Sequence, residues 1–184
     1  MNFLQKSKRG VERSLPMKIF FLTCFLFVSA LPVCASETSE DFDDHTYILV
    51  PQAKNWQMAK RDAEARGGHL VVISSAAEQR FIEQLIDKAM GRDLLPVWIG
   101  LTDEEGEGIW KWVNGEPLSY TNWQRRQPSN SNSITPENYC VIWHSNAQSP
   151  PPNGYRGAKK GEWNDVAGDN NLPYIIEFDS IKER

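Results

Sequence analysis

Two stretches, residues 124–138 and 144–162, are poor in apolar residues and rich in Pro, Gly, Asn and Ser, and they flank one strand-like run, YCVIW. Long connections without regular structure are uncommon in compact domains and tend to carry function. If YCVIW and the later run YIIEF share a sheet, the tips of both stretches meet. At the end of the second stretch stands WND, residues 163–165, an amide and a carboxylate side by side behind a tryptophan. Asn and Asp are common turn residues, so these two would simply feed the strand that follows. They are also hard oxygen donors, and as such would be aimed at a cation together with further oxygens from elsewhere in the chain.

The first 35 residues do not belong to the domain. Lys6, Lys8, Arg9, Arg13 and Lys18, with only Glu12 against them, precede IFFLTCFLFVSALPVCA. That order of basic, apolar and small residues is a secretory signal peptide, with cleavage expected after Ala35 and Met17 as an alternative start. An uncleaved membrane anchor or a lipoprotein signal at Cys34 are the competing readings; the apolar run is slightly short for the first and Val33 is poorly suited to the second. Residues 1–35 hold 5 basic and 1 acidic residue, which leaves 15 basic and 23 acidic and a net charge of −8. Such a balance disfavours nucleic acid, whose binding rests on neutralising phosphates, and suits cations. Cys140 is the one cysteine left after cleavage, so no intrachain disulfide is available and the core must supply the stability.

Residues 36–46 read as an acidic flexible lead-in, the domain as 47–179, and 180–184 as a tail. TYILV is strand-like up to Pro51. Trp56, Ala59 and Ala63 recur at helical spacing between Ala53 and Arg66, and Gly67 and Gly68 stop that helix. HLVVI reads as a short buried strand. Ser75 with Glu78 forms a capping box for a second helix over 76–90, with Phe81, Ile82, Leu85, Ile86 and Ala89 on its inner face and Gly91 at its end. After LLPVWIGL, aromatic residues, turns and short strands replace helices. Trp110 and Trp112 alternate as in a half-buried strand.

WIGL (98–101), GIWKWVNGEPLSYTNW (108–123), QPS (127–129), ENYCVIW (137–143) and WND (163–165) stand together in one order, preceded by the Trp56–Ala59 helix, GGHLVVIS and the Glu78 helix. In this the chain resembles the C-type lectin-like domain from about Tyr47 to Phe178. The resemblance implies an α+β fold with two helices, antiparallel sheets and a long functional loop region. It also implies a calcium ion between that loop and the WND strand, with Gln127, Ser129, Glu137, Asn164 and Asp165 as ligands that also hold sugar. A cis bond before Pro128 would fit such a site. Ser129 departs from the family, which has Asn or Asp there. An auxiliary calcium site would use Asp103, Glu107, Asn130 and Asn138, against the alternative that TDEEGEG is a solvated hairpin tip. Ala65, Tyr139 and Ile176 stand where family members often have cysteine.

Trp98, Trp110, Trp112, Trp123 and Trp163 read as core, whereas Trp143, His144 and Tyr155 border the long loop and are candidates for stacking on a ligand. His45, His69 and His144 are scattered and show no metal-ligand spacing. Cys140 reads as a buried thiol and Glu104, Glu105 and Glu107 as a charged turn. No catalytic triad pattern or phosphate loop stands out. The expectation is a secreted, non-enzymatic, calcium-dependent carbohydrate-binding module with a glycan or glycoprotein partner, no nucleic-acid partner, and membrane attachment only through an uncleaved signal. The competing expectation is a protein-recognition domain of the same fold that ignores calcium.

Overall fold

The computed structural model describes residues 36–91, 95–129, 135–144 and 159–180; the leader, Asn130, Tyr155 and residues 181–184 lie outside the described residues. The order of elements is β1 (Thr38–Phe42), β2 (His45–Lys54), α1 (Trp56–Ala65), β3 (His69–Leu70), α2 (Ala76–Met90), β4 (Val97–Thr102), β5 (Lys111–Trp112), β6 (Tyr139–Ile142), β7 (Trp163–Val166) and β8 (Leu172–Phe178). Among the described residues, two helices and eight strands make the α+β class expected. The sheet runs β1-β2-β8-β4-β6-β7, with β3 added to β8 and β5 to β4. It is mixed: β8 meets β4 in parallel at Trp98 and Tyr174, while the other strand pairs are antiparallel.

Strand alternation divides the core into two clusters. Trp98, Val141, Tyr174 and Ile176 face Trp56, Ala59 and Ala63 of α1, while Ile99, Ile142 and Ile175 fall in the cluster that holds Ile82, Leu85 and Ile86 of α2. Both faces are therefore covered, which is why VWIGL, YCVI and YIIEF read as continuous apolar runs and not as alternating ones. Asn55 caps α1 by accepting from the Met58 N–H at 2.9 Å, and Ser75 caps α2 by accepting from the Glu78 N–H at 3.1 Å. Glu78 returns to the N–H of Ser74 at 2.7 Å, one residue earlier than the capping box predicts. A side-chain acceptor of this kind stabilises a helix by about 1 kcal/mol.

Two local expectations are corrected. Thr38–Phe42, inside the stretch read as a flexible lead-in, pairs along its full length with β2, from Thr38 opposite Leu49 to Phe42 opposite His45. Phe42 stacks on Phe81 of α2 at 4.8 Å, an anchor that hides inside an acidic sequence. HLVVI is a strand only over His69–Leu70. Val71 leaves the ladder while still donating to the Ile175 carbonyl, so Val71, Val72 and Ile73 are buried without being strand.

Candidate functional site

The WND motif lies on β7, the edge strand, paired to β6 with Cys140 opposite Asp165 and Val141 opposite Asn164. Trp163 fixes that strand to the body of the domain. It is fully buried, donates its indole N–H to Gln79 of α2 at 2.9 Å, and meets Trp112, Tyr120 and Trp123 edge-on at 5.7–5.8 Å. The segment leading into QPS runs beside β7: the Trp163 N–H donates to Asn122 and the Gln124 N–H to Trp163. The chain then turns, with Gln127 N–H donating to the Gln124 carbonyl, Arg126 at φ 72° and a cis Gln127–Pro128 peptide. This turn brings Ser129 to the motif, where its main-chain N–H donates to Asp165 Oδ2 at 2.9 Å. Glu137 is buried two residues ahead of β6, at the mouth of the same strand pair.

Asn164 and Asp165 are 0% and 1% exposed, a burial that polar side chains tolerate only with partners. Asn164 donates Nδ2 to the Asp165 carbonyl at 3.0 Å, yet its Oδ1 is buried without a hydrogen-bond donor among the described residues, and so is Gln127 Oε1. Leaving such an acceptor unpaired costs about 1–3 kcal/mol. Gln127 and Asn164, with their amide oxygens, and Asp165 and Glu137, with their carboxylates, offer by residue type the mixed neutral and charged oxygen chemistry that suits calcium. The residues present fit that ion. Ser129 is exposed and meets the motif through its backbone.

The auxiliary set is only partly gathered. Asp103 is buried and braces the TDEEGEG turn, accepting from the Gly108 N–H through Oδ2 at 2.8 Å and from the Gly106 N–H through its carbonyl at 2.9 Å. Its Oδ1 is buried without a donor among the described residues. The Asn138 carbonyl accepts from the Asp103 N–H at 3.2 Å, which places that residue alongside. Glu107 is exposed, and with Asn138, Gln57, Glu104 and Tyr139 it lines an open groove of about 710 Å³. Asn130 is outside the described residues.

Trp143 and His144, candidates for stacking on a ligand, are instead 3% and 6% exposed. Backbone bonds from Trp143 to Glu162 and from Gly161 to Trp143 extend the β6–β7 ladder beyond Ile142 and draw both side chains inward. Burial, and then the nearby Asp165 charge, push the Cys140 thiol well above its ordinary range, which leaves it an inert thiol. Glu105 pairs with Lys111 at 2.7 Å and Glu104 accepts from Gln57 at 2.9 Å, as charges of a surface turn do. One cluster had no sequence signal: His45, Glu177 and Asp179 offer donor atoms that all lie within 4.8 Å of one another.

Comparison with known proteins matches residues 52–178 to the family model described as the lectin C-type domain. A perlucin-like protein of Mytilus galloprovincialis is 29% identical over 170 residues, covering 91% of this chain and 98% of that protein. The versican core protein of Homo sapiens is 30% identical over 140 residues, 76% of this chain but 4% of that far longer protein. Among solved structures, the mouse scavenger receptor C-type lectin carbohydrate-recognition domain has a TM-score of 0.62 and 30% identity, covering 77% of this chain and 95% of that one.

Proposed function

Since the chain belongs to the C-type lectin domain family, we propose that it binds carbohydrate through a calcium ion held by Gln127, Glu137, Asn164 and Asp165, with Ser129 as the weakest member of the set. The observation that carries this reading is the pair of buried acceptors without donors among the described residues, Gln127 Oε1 at the turn that closes on Asp165 and Asn164 Oδ1 on β7. Calcium, when bound, supplies coordination positions that a sugar diol can occupy. The side chains do the rest: an amide whose oxygen faces the ion keeps its N–H groups for a sugar oxygen, and a carboxylate keeps an oxygen for a sugar hydroxyl. The similar mouse domain is itself a carbohydrate-recognition domain, which supports a glycan partner.

Export belongs to the same reading, through the basic and apolar leader and cleavage after Ala35. Among the described residues no helix is long and apolar enough to cross a membrane. A second reading, protein recognition without calcium, is favoured by Ser129, whose side chain is exposed and whose main-chain N–H already engages Asp165.

Thermal melting with calcium and with chelator separates the two. An ion present at about a hundred times its dissociation constant stabilises the native state by about 2.7 kcal/mol. Asp165→Asn, nearly isosteric, should abolish both that rise and binding on a glycan array, and Ser129→Asn should strengthen both. A wild-type melting curve that ignores millimolar calcium would overturn the calcium reading.

A further inference from the structure

Sheet register collects a second set of metal-ligand side chains, separated from β7 by β4 and β6. Strand β2 runs antiparallel to β8 with Tyr47 opposite Glu177, and β3 places His69 opposite Glu177 from the other side. Side chains two residues apart share a face of a sheet. His45, two before Tyr47, and Asp179, two after Glu177, therefore join Glu177 and His69 on one face. No spacing along the chain announces this, because the four come from β2, β3, β8 and the residue just past β8.

The contacts have the form of a site. His45 Nδ1 lies 2.5 Å from Glu177 Oε1 and 3.7 Å from Asp179 Oδ1, and His69 Nε2 lies 3.4 Å from the same Asp179 oxygen. Four ligands at ordinary zinc bond lengths in a tetrahedron are separated by about 3.3 Å. Two of these three separations are near that edge, and the His45–Glu177 pair needs to open by about 1 Å to reach it. The supporting bonds are also those a metal site needs. His69 Nδ1 can only donate to the Leu70 carbonyl at 2.9 Å, which leaves Nε2 as the ring nitrogen directed toward Asp179. Glu177 is 3% exposed, and its second oxygen is held by the Val72 N–H at 2.8 Å.

We propose that His45, Glu177 and Asp179 bind a divalent ion of the zinc class, with His69, which reaches Asp179 but stands outside their tight cluster, moving in as the fourth donor when the ion binds. Two imidazoles and two carboxylates match the borderline softness of that ion, whereas calcium prefers oxygen alone. The charges balance, two carboxylates against one dication. Because the imidazoles must be neutral to ligate, affinity falls as the pH is lowered.

Tag-free, chelator-stripped protein titrated with zinc by calorimetry at neutral pH should take up one ion per chain and melt at a higher temperature, while equimolar calcium does nothing to this site. Cobalt(II) in place of zinc should show the absorption of a tetrahedral centre. His45→Gln and Asp179→Asn should each weaken zinc binding by at least about tenfold. Both side chains are partly exposed, at 32% and 62%, so the metal-free variants should melt near the wild type and remain testable. Asp165→Asn should leave zinc binding unchanged, which keeps this site separate from the calcium reading. Absence of stoichiometric binding, or binding that neither His45→Gln nor Asp179→Asn weakens, would overturn the proposal and leave a protonated histidine paired with carboxylates.

Discussion

Gly100, inside the WIGL motif, tests why β4 must carry a glycine at its centre. A Cβ built there would stand 2.6 Å from the Leu70 carbonyl oxygen, 3.0 Å from that of Val71 and 2.8 Å from Val113 Cγ2. The first and second are backbone atoms, and they are pinned from both sides: Gly100 N–H donates to Val71 at 2.8 Å and the Val113 N–H to Gly100 at 2.9 Å. Neither wall can step back without breaking those bonds. Overpacking of a tight interior costs about 1–3 kcal/mol, and two immovable walls place Gly100→Ala at about 3. For a domain of this size that is a fall of about 6–12 °C in melting temperature. Gly108→Ala is the comparison. Gly108 has φ +74° but nothing within 4 Å of its missing Cβ, so it loses only the left-handed backbone freedom, about 1–2 kcal/mol. Calorimetric melting of both variants at one pH decides the matter. A Gly100→Ala protein that melts within about 2 °C of the wild type, or above Gly108→Ala, would refute the packing argument.

Gln79→Ala removes the acceptor of the Trp163 indole N–H and a donor to the Gly161 carbonyl, both buried, at a cost of about 1–3 kcal/mol; because Trp163 seats the WND strand, the calcium-induced rise in melting temperature should shrink as well. Burial alone would lower the His45 pKa, but its hydrogen bond and charge interaction with Glu177 overcome this and raise it. A histidine raised in the folded state contributes stability that is complete below its unfolded pKa of about 6.5 and is lost as pH rises through the folded value. With chelator present, wild-type melting temperature should therefore fall relative to His45→Gln between pH 6 and pH 8, roughly the window above that reference value; parallel pH profiles would remove His45 from this role.

The helices were legible because their information is local. Trp56, Ala59 and Ala63 at helical spacing, and the cap at Ser75, act within a turn or two of chain, so periodicity and side-chain chemistry suffice to place α1 and α2. The order of short motifs from WIGL to WND likewise carried the family, and with it the expectation that Gln127, Glu137, Asn164 and Asp165 hold an ion, since each motif has a fixed neighbourhood of its own. Register and burial were decided elsewhere. Thr38–Phe42 looks like an acidic tail until β2 supplies its ladder and Phe81 its anchor, and Trp143 and His144 look like loop residues until Gly161 and Glu162 extend the β6–β7 pairing past Ile142. His45, His69, Glu177 and Asp179 are separated by up to 134 positions, and no pattern in the chain relates them. They meet because antiparallel pairing of β2 and β3 on either side of β8 fixes which residues stand opposite, a choice made by the packing of the whole sheet between two buried faces and not by any segment alone.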